Sequence, residues 1–220
     1  VDFSWRFFKG IMDYRLTTST PSQEFSLYSA QQRTVWQDKI NLTNPQKEKL
    51  YRRLLWNLES SNTSYAYQYF FNNCTTKVRD YLDESLNGAL LPQFNGTTES
   101  SYRDHVRSHY QSVGLVEFSL DILMNSNIDR QISEWEEMFL PIKFRERLLK
   151  VESDVAENGE RQMLLSDSQI IAQFMPPTVD TDPYDVVFYS LTLPVAFLFF
   201  MLRKIPQTYY ATRSRIGLRL

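Results

Sequence analysis

Glycine, cysteine and histidine are scarce in this sequence, and each shortage excludes a class of site. The 220 residues include only 6 glycines, in neither a GxGxxG nor a P-loop pattern, so the glycine-rich loops that hold nucleotide phosphates are excluded. The single cysteine, Cys74, cannot form an intrachain disulfide or a zinc site built on cysteine pairs. With only 2 histidines in addition, we expect no metal site and no cofactor.

Excess charge of one sign is also missing overall, but the charge is unevenly distributed. The formal net charge is −2 at pH 7, so there is no overall basic surface for nucleic acid, and we expect no nucleic-acid partner. Residues 203–220 nevertheless contain basic side chains and no acidic one, whereas the preceding chain is acidic. An acidic body and a basic tail, separated by an apolar stretch, indicate two compartments.

The apolar stretch is Val186–Leu202, which reads VVFYSLTLPVAFLFFML and contains no charged residue. As a helix, these 17 residues would extend about 25 Å, slightly less than the hydrocarbon core of a bilayer. A buried C-terminal core helix is the alternative. The basic residues that follow favour a transmembrane helix, with residues 203–220 as a cytoplasmic tail and the acidic body outside. We therefore expect a membrane anchor through residues 186–202.

Residues 1–175 are predicted to form one α+β domain with a small antiparallel sheet and a helical C-terminal half. A linker rich in proline and aspartate, residues 176–185, follows it. The predicted strands are Tyr14–Thr20, Glu24–Ser29, Arg33–Leu42 and Tyr65–Phe71, with a strand pair within Met163–Phe174. The predicted helices are residues 45–60, Cys74 to Gly88, Tyr102–Tyr110, Val116–Met124, one beginning at Ser133, and Pro141–Val151.

Cys74 is a candidate nucleophile because it is predicted to begin a helix directly after a strand. A thiolate is the nucleophilic form of cysteine, and the unpaired backbone N–H groups of a helix's first turn favour negative charge. The same N–H groups can hold a developing oxyanion. Asn72 or Asn73 is placed to cap the helix, and an amide there could also donate to the oxyanion.

A structural role for these residues is the alternative. Free cysteines are often buried as small hydrophobic residues, and catalysis would also require a base within reach of the thiol. Tyr65, Tyr67 and Tyr69 share one face of the predicted strand and could line a substrate groove. Packing in the core explains these tyrosines at least as well.

The segment Tyr65–Leu86, which reads YAYQYFFNNCTTKVRDYLDESL, resembles a bacterial protein family. That family is named for the periplasmic N-terminal domain of the lipoprotein N-acyltransferase Lnb. A tyrosine-rich strand that leads into NNCTT, with RD soon after, carries the resemblance. It extends in the same order from near Val1 to about Val151. The other matching segments are Phe3–Leu16, Gln32–Thr43, Ser101–Val106 and Glu137–Pro141.

The resemblance implies a circularly permuted papain-like fold of the NlpC/P60 type, in which the cysteine begins a helix. It also implies that Cys74 is the nucleophile. An acyl chain would pass from a membrane phospholipid to a thioester on Cys74, and then to the N-terminal amine of a lipoprotein. The implied partners are therefore phospholipid, a lipoprotein substrate and the bacterial inner membrane, with the main domain in the periplasm.

The resemblance places the base histidine on a strand before the cysteine, but no histidine precedes Cys74 here. We expect that the histidine-bearing segment is missing from the start of the chain, and that this fragment alone is inactive. His105 and His109 follow the cysteine and are interpreted as solvated surface residues. Arg79 and Asp80 are interpreted as an ion pair that stabilises the fold.

Three functions of different classes follow from these patterns. The favoured hypothesis is a membrane-tethered periplasmic thiol acyltransferase that acts on lipoproteins. The second is a thiol hydrolase of peptide, amide or lipid ester bonds on the same fold, which differs only in using water as the second nucleophile. The third is a non-catalytic binding module of the bacterial envelope, suggested by the missing histidine.

Overall fold

Short paired strands alternate with helices throughout the chain. The structure is a computed structural model that describes residues 12–110, 124, 126–153, 161–175 and 183–203. It divides into two units, of which one contains residues 1–105 and 125–177, and the other contains residues 106–124 and 178–220.

The described elements mix helices with small antiparallel sheets, which confirms the predicted α+β class. The helices are α1 (Pro21–Ala30), α2 (Asn44–Leu58), α3 (Cys74–Ser85), α4 (Tyr102–Tyr110), α5 (Glu134–Glu137), α6 (Pro141–Leu148) and α7 (Pro183–Arg203). The strands are β1 (Met12–Arg15), β2 (Val35–Ile40), β3 (Ser64–Tyr67), β4 (Thr97–Ser101), β5 (Gln131–Ser133), β6 (Glu152–Ser153), β7 (Gln162–Met163) and β8 (Leu165–Ala172).

Within the described ranges, the strands pair two by two in antiparallel ribbons: β1 with β3, β2 with β8, β4 with β5, and β6 with β7. The β1–β3 register places Tyr14 directly opposite Tyr65. Because side chains of directly opposed residues lie on the same face of a ribbon, this register brings two tyrosines together just before α3. The β2–β8 ribbon is longer and contains two register shifts.

The strand predicted at Glu24–Ser29 is wrong, since these residues lie in α1. Thr20 and Gln23 form a capping box: the Gln23 N–H donates to the Thr20 hydroxyl, and the Thr20 N–H donates to Oε1 of Gln23 at 2.9 Å. Pro21 occupies the first turn, where its missing N–H costs nothing. These start signals outweigh the β-prone composition of the segment.

The helices predicted at residues 45–60, from Cys74 and at Tyr102–Tyr110 are confirmed as α2, α3 and α4. The carboxyl end of α3 is closed by Gly88, which adopts a φ of +79° and donates its N–H to the Asp83 carbonyl at 2.8 Å. This left-handed conformation favours glycine because no Cβ meets the backbone.

Other predicted elements differ in length. β1 ends at Arg15 and β3 ends at Tyr67, so both strands are shorter than predicted. Ser133 does begin a helix with a capping box, but α5 is only one turn. In place of a strand pair within Met163–Phe174, β8 is one strand that pairs with β2. The helix predicted at Val116–Met124 and most of the predicted linker lie outside the described residues.

One hydrophobic cluster joins α3 to the segments after it. Leu82 projects from α3 into this cluster and is almost fully buried. Its other members come from the segments around residues 86–94, 138–151 and 164–165 and from the start of α2: Leu42, Leu86, Leu90, Phe94, Met138, Leu148, Val151, Leu164 and Leu165. The helix that begins at Cys74 is therefore anchored through its inner face.

The second unit contains α7, which confirms a helix over the apolar stretch but not its predicted role. Among the described residues, no helix combines the length and the apolar character needed to cross a membrane. The transmembrane prediction for Val186–Leu202, and with it the inner-membrane anchor, is therefore not supported. Its uncharged run is 17 residues, which is at the short end of the range for a span. Residues 204–220 of the basic tail lie outside the described ranges.

Candidate functional site

A tight turn directs the chain from β3 into α3. The backbone N–H and carbonyl groups of Gln68 and Asn72 bond to each other in both directions, at 3.1 and 3.0 Å. The Asn72 side-chain amide donates to the Ala66 carbonyl at 2.6 Å. Asn72 therefore closes the turn and is not the residue that caps α3.

Asn73 is the N-cap residue of α3, and its side chain connects three segments. Its Oδ1 accepts the Thr76 N–H at 2.8 Å. Its Nδ2 donates to the Tyr69 carbonyl at 3.0 Å and to the Phe139 carbonyl at 2.9 Å. Both amide hydrogens thus have carbonyl acceptors, so this side chain positions the helix and has no N–H left for an oxyanion.

Thr76 completes the cap. Its hydroxyl accepts the Asn73 N–H at 2.8 Å and donates to the Asn73 carbonyl at 3.0 Å, and the residue is only 1% exposed. The N–H groups of Cys74 and Thr75 precede the first hydrogen bond within the helix, so they have no partner inside it. These two groups are the natural donors to an anion beside Cys74.

Cys74 is the first residue of α3, and it is exposed. Its Sγ lies 4.0 Å from the hydroxyl of Thr75. Molecules in solution can therefore reach the thiol. The alternative in which Cys74 is a buried hydrophobic residue is wrong, because the residue does not lie in the core.

Three tyrosines on the β1–β3 ribbon form a cluster beside Cys74. The ring centroids of Tyr14 and Tyr67 are 5.0 Å apart, those of Tyr14 and Tyr65 are 6.1 Å apart, and those of Tyr65 and Tyr67 are 6.3 Å apart. All three pairs are within the range of favourable aromatic contact. We call Tyr14, Tyr65 and Tyr67 the tyrosine cluster.

The tyrosine cluster is electrostatically coupled to the cysteine. Burial raises the pKa of Tyr65 to about 12, and the nearby Cys74 acts in the same direction. The pKa of Tyr67 is also raised, first by burial and then by Cys74. Both phenols are therefore protonated at neutral pH, so they can donate a hydrogen bond but cannot serve as the base for the thiol.

Lys77 adds a cation to the same region. It follows Cys74 by three residues in α3, and side chains at this spacing are neighbours on a helix surface. Its ammonium nitrogen lies 5.2 Å from the ring centroid of Tyr65. The sequence did not identify Lys77 or Tyr14 as site residues. The three-residue spacing from Cys74 along the helix could have identified Lys77. The position of Tyr14 depends on the register of the β1–β3 ribbon, which the sequence does not specify.

Tyr69, the third tyrosine selected from the sequence, belongs to a different environment. It lies in the turn after β3, where its ring contacts Phe70 at 4.9 Å and its carbonyl accepts from Asn73. The turn breaks the two-residue period that would have placed it on the same face as Tyr65 and Tyr67.

The two histidines differ in exposure. His109 is exposed, as expected, but His105 is 8% exposed, so its predicted surface position is wrong. The Nε2 atom of His105 lies 3.2 Å from Oε1 of Glu137, whose Oε2 accepts from Arg147 at 2.7 Å. His105 is buried because it shares the inner face of α4 with Tyr102. The interactions described for Cys74 are with other residues: the Thr75 hydroxyl and, electrostatically, Tyr65 and Tyr67.

Arg79 lies on the buried side of α3. It donates to the Asp80 carboxylate at 2.7 Å and to the Trp135 carbonyl at 2.8 Å, and its guanidinium lies 4.2 Å from the Trp135 ring centroid. These contacts fit the ion-pair interpretation, in which Arg79 holds α3 against the segment around α5. In the described residues, no group of three or more His, Cys, Asp or Glu side chains could hold a metal ion.

The comparisons with known proteins agree with the resemblance around Cys74. The family model described as the Lnb N-terminal periplasmic domain matches residues 1–122, which is more than half of the chain. Neither a curated protein nor a solved structure matches the chain. Cys74, Lys77 and the tyrosine cluster all lie within the matched region.

Replacing Asn73 with alanine should destabilise the protein by about 2–3 kcal/mol, because the helix cap, one buried hydrogen bond to a carbonyl and one partly buried one are lost together. Urea unfolding followed by circular dichroism measures this change. Asn72→Ala is the matched control, and it should cost only about 1 kcal/mol because one partly exposed hydrogen bond is lost. Equal losses for the two variants would contradict the assignment of Asn73 as the connecting residue.

The position of Tyr65 also has a consequence at high pH. Its pKa is about 12 in the folded protein, above the value of about 10 expected in the unfolded chain. The unfolded state therefore loses this proton first, so stability should fall as the pH rises from about 10 to 12. Tyr65→Phe should make this decline shallower in urea unfolding at a series of pH values. An unchanged slope would show that Tyr65 is solvated.

Proposed function

We propose, on the premise that the chain belongs to the Lnb N-terminal periplasmic domain family, that it is a periplasmic thiol acyltransferase with Cys74 as its nucleophile. The family itself supports a periplasmic location for the main domain. The observation that carries the proposal is the exposed thiol at the first position of a capped helix, beside an aromatic cluster and a lysine. A permuted papain-like fold would also place its cysteine at the start of a helix.

The proposed reaction has two steps. The Cys74 thiolate attacks the acyl carbonyl of a phospholipid ester, the carbon–oxygen bond to the glycerol breaks, and the leaving alkoxide takes up a proton equivalent to the one lost by the thiol. The N-terminal amine of a lipoprotein then attacks the thioester carbonyl. The carbon–sulfur bond breaks, an amide forms, and the proton released by the amine restores the thiol.

The start of α3 supports this chemistry electrostatically. The N–H groups of Cys74 and Thr75 point out of the first turn, where the helix dipole favours negative charge. Donors fixed in this way stabilise the oxyanion of each tetrahedral intermediate without having to reorganise. The capping bonds of Asn73 and Thr76 hold that turn in place.

The tyrosine cluster supports an apolar substrate. Tyr14, Tyr65 and Tyr67 form one cluster of three rings, of which Tyr65 and Tyr67 interact electrostatically with Cys74. Such an aromatic surface can pack against the methylene groups of an acyl chain. Lys77 fits the anionic part of the same phospholipid, since its ammonium group can attract the phosphate. It can also stabilise the negative charge on the attacking sulfur. The proposal assigns no base among the described residues, because the interactions given for Cys74 are with the Thr75 hydroxyl and, electrostatically, with phenols that are protonated at neutral pH.

The proposal is tested by intact-mass spectrometry of the complete gene product after incubation with phospholipid vesicles. We expect an added acyl mass that hydroxylamine removes, since thioesters are cleaved by it, and no such mass in Cys74→Ser. Circular dichroism of the variant controls for folding. The absence of an adduct in a folded wild-type protein would contradict the proposal and favour a binding module.

The same incubation separates transfer from hydrolysis. A peptide that carries a lipoprotein-type N-terminal amine should gain the acyl chain when it is added to the acylated protein. Release of free fatty acid at the same rate with and without this peptide would instead identify a thiol hydrolase, because water would then be the second nucleophile.

Lys77→Met should slow the alkylation of Cys74 by iodoacetamide at neutral pH by about twofold to fivefold. A partly exposed charge interaction is worth roughly 0.3–1 kcal/mol, and its loss weakens the stabilisation of the anionic transition state in which the sulfur attacks the reagent. Lys77→Arg should retain most of the rate because it keeps the charge. Lys49→Met, which removes an exposed lysine from α2, is the matched control and should not change it. An equal effect of both methionine variants would contradict a local role of Lys77.

A further inference from the structure

A second candidate site lies at one end of the β2–β8 ribbon. A cleft of about 520 Å³ opens there, within the size range of small-ligand sites. Its lining comes from the start of β2 and the residues before it, and from the end of β8 and the residues after it: Gln32, Arg33, Thr34, Trp36, Ile170, Gln173, Phe174 and Met175. None of these residues belongs to the Cys74 site, so the inference below does not rest on the proposed acyl transfer.

The floor of the cleft is apolar. Trp36 and Ile170 are paired across the ribbon, and they are 44% and 54% exposed. Phe174 and Met175 extend the apolar lining beyond the end of β8. Large apolar side chains that lie side by side and exposed are a common feature of binding surfaces.

The cleft is held in shape by polar contacts below it. The Thr34 hydroxyl donates to the Phe174 carbonyl and accepts the Phe174 N–H, both at 3.1 Å, so the two walls are tied together. Arg145 donates to both oxygens of Asp38, at 2.7 and 2.9 Å, and its guanidinium lies 5.8 Å from the Trp36 ring centroid. A ligand would therefore meet a largely preformed surface.

The rim of the cleft is positively charged. Arg33 follows the end of α1, where its N–H donates to the Tyr28 carbonyl at 2.9 Å and its guanidinium lies 5.0 Å from the Tyr28 ring centroid. None of the residues that line the cleft is acidic, and the described contacts of Arg33 include no carboxylate. The amides of Gln32 and Gln173 add further hydrogen-bond donors.

We propose that this cleft binds an anionic lipid through its phosphate group and the adjoining part of its alkyl chain. The guanidinium of Arg33 matches the geometry of phosphate oxygens, and the two glutamine amides can supply donors to a third oxygen. A carboxylate has only two oxygens and needs fewer donors. The alkyl chain covers Trp36 and Ile170, which removes their exposed apolar surface from water.

Isothermal titration of the full chain with dodecyl phosphate, below its micelle concentration, tests this site. The Cys74→Ser protein is used so that no covalent adduct can form, which keeps the result independent of the proposed catalysis. We expect saturable 1:1 binding. Inorganic phosphate and a neutral dodecyl glucoside should each bind at least about tenfold more weakly. Equal binding of the neutral amphiphile, or of dodecanoate, would overturn the assignment of a phosphate group.

Paired variants locate the binding. Arg33→Gln should weaken the affinity for dodecyl phosphate about tenfold or more, whereas Arg52→Gln, which removes an exposed arginine of α2, should not. Ile170→Asp should abolish binding, and Ile171→Asp, at an exposed neighbour that does not line the cleft, should preserve it. Equal losses within either pair would overturn the proposal. So would a dimer in solution that Ile170→Asp dissociates while no lipid binds, since the occupant would then be a second copy.

Discussion

The side-chain amide of Asn73 holds together the three segments on which the position of Cys74 depends. Its oxygen fixes the first turn of α3 through Thr76, and its nitrogen holds the turn after β3 through Tyr69 and the segment after α5 through Phe139. Phe139 is 66 residues further along the chain, so this one group converts a local cap into a tertiary contact. A buried amide with all its partners satisfied specifies one geometry, because any rearrangement leaves buried donors or acceptors unpaired.

The register of the β1–β3 ribbon is the second constraint, and it determines the position of the tyrosine cluster. A slip of one residue would turn Tyr65 and Tyr67 to the opposite face, away from Tyr14. Their aromatic contacts favour the observed register, while the turn closed by Gln68 and Asn72 stops the ribbon before Tyr69. The cysteine therefore lies next to an aromatic wall because strand pairing and helix capping meet within seven residues of sequence.

Local signals in the sequence predicted the α+β class, the start of α3 at Cys74 and the helical span of α4, because caps and periodicity depend on near neighbours. One local signal was overlooked: the capping box of Thr20 and Gln23 makes Glu24–Ser29 helical in spite of its composition. The other failures lie where distant contacts decide. The aromatic alternation of β3 predicts a longer strand, but Phe70 turns inward against Tyr102 and Phe139, 4.9 and 5.4 Å from their ring centroids. This packing joins residues that are far apart in sequence, so no short-range pattern predicts it.

The contacts of the polar side chains explain why the proposed acyl transfer is placed at the start of α3. His105 and Glu137 are buried, and Glu137 pairs with the partly buried Arg147. A buried charge that loses its partner is strongly destabilising, so these residues are committed to the fold. Arg79 is committed in the same way to Asp80 and Trp135. Cys74 differs, because its thiol is exposed while the helix beneath it is rigidly held. A reactive group needs both access and a fixed frame, and within the described site the first turn of α3 provides both.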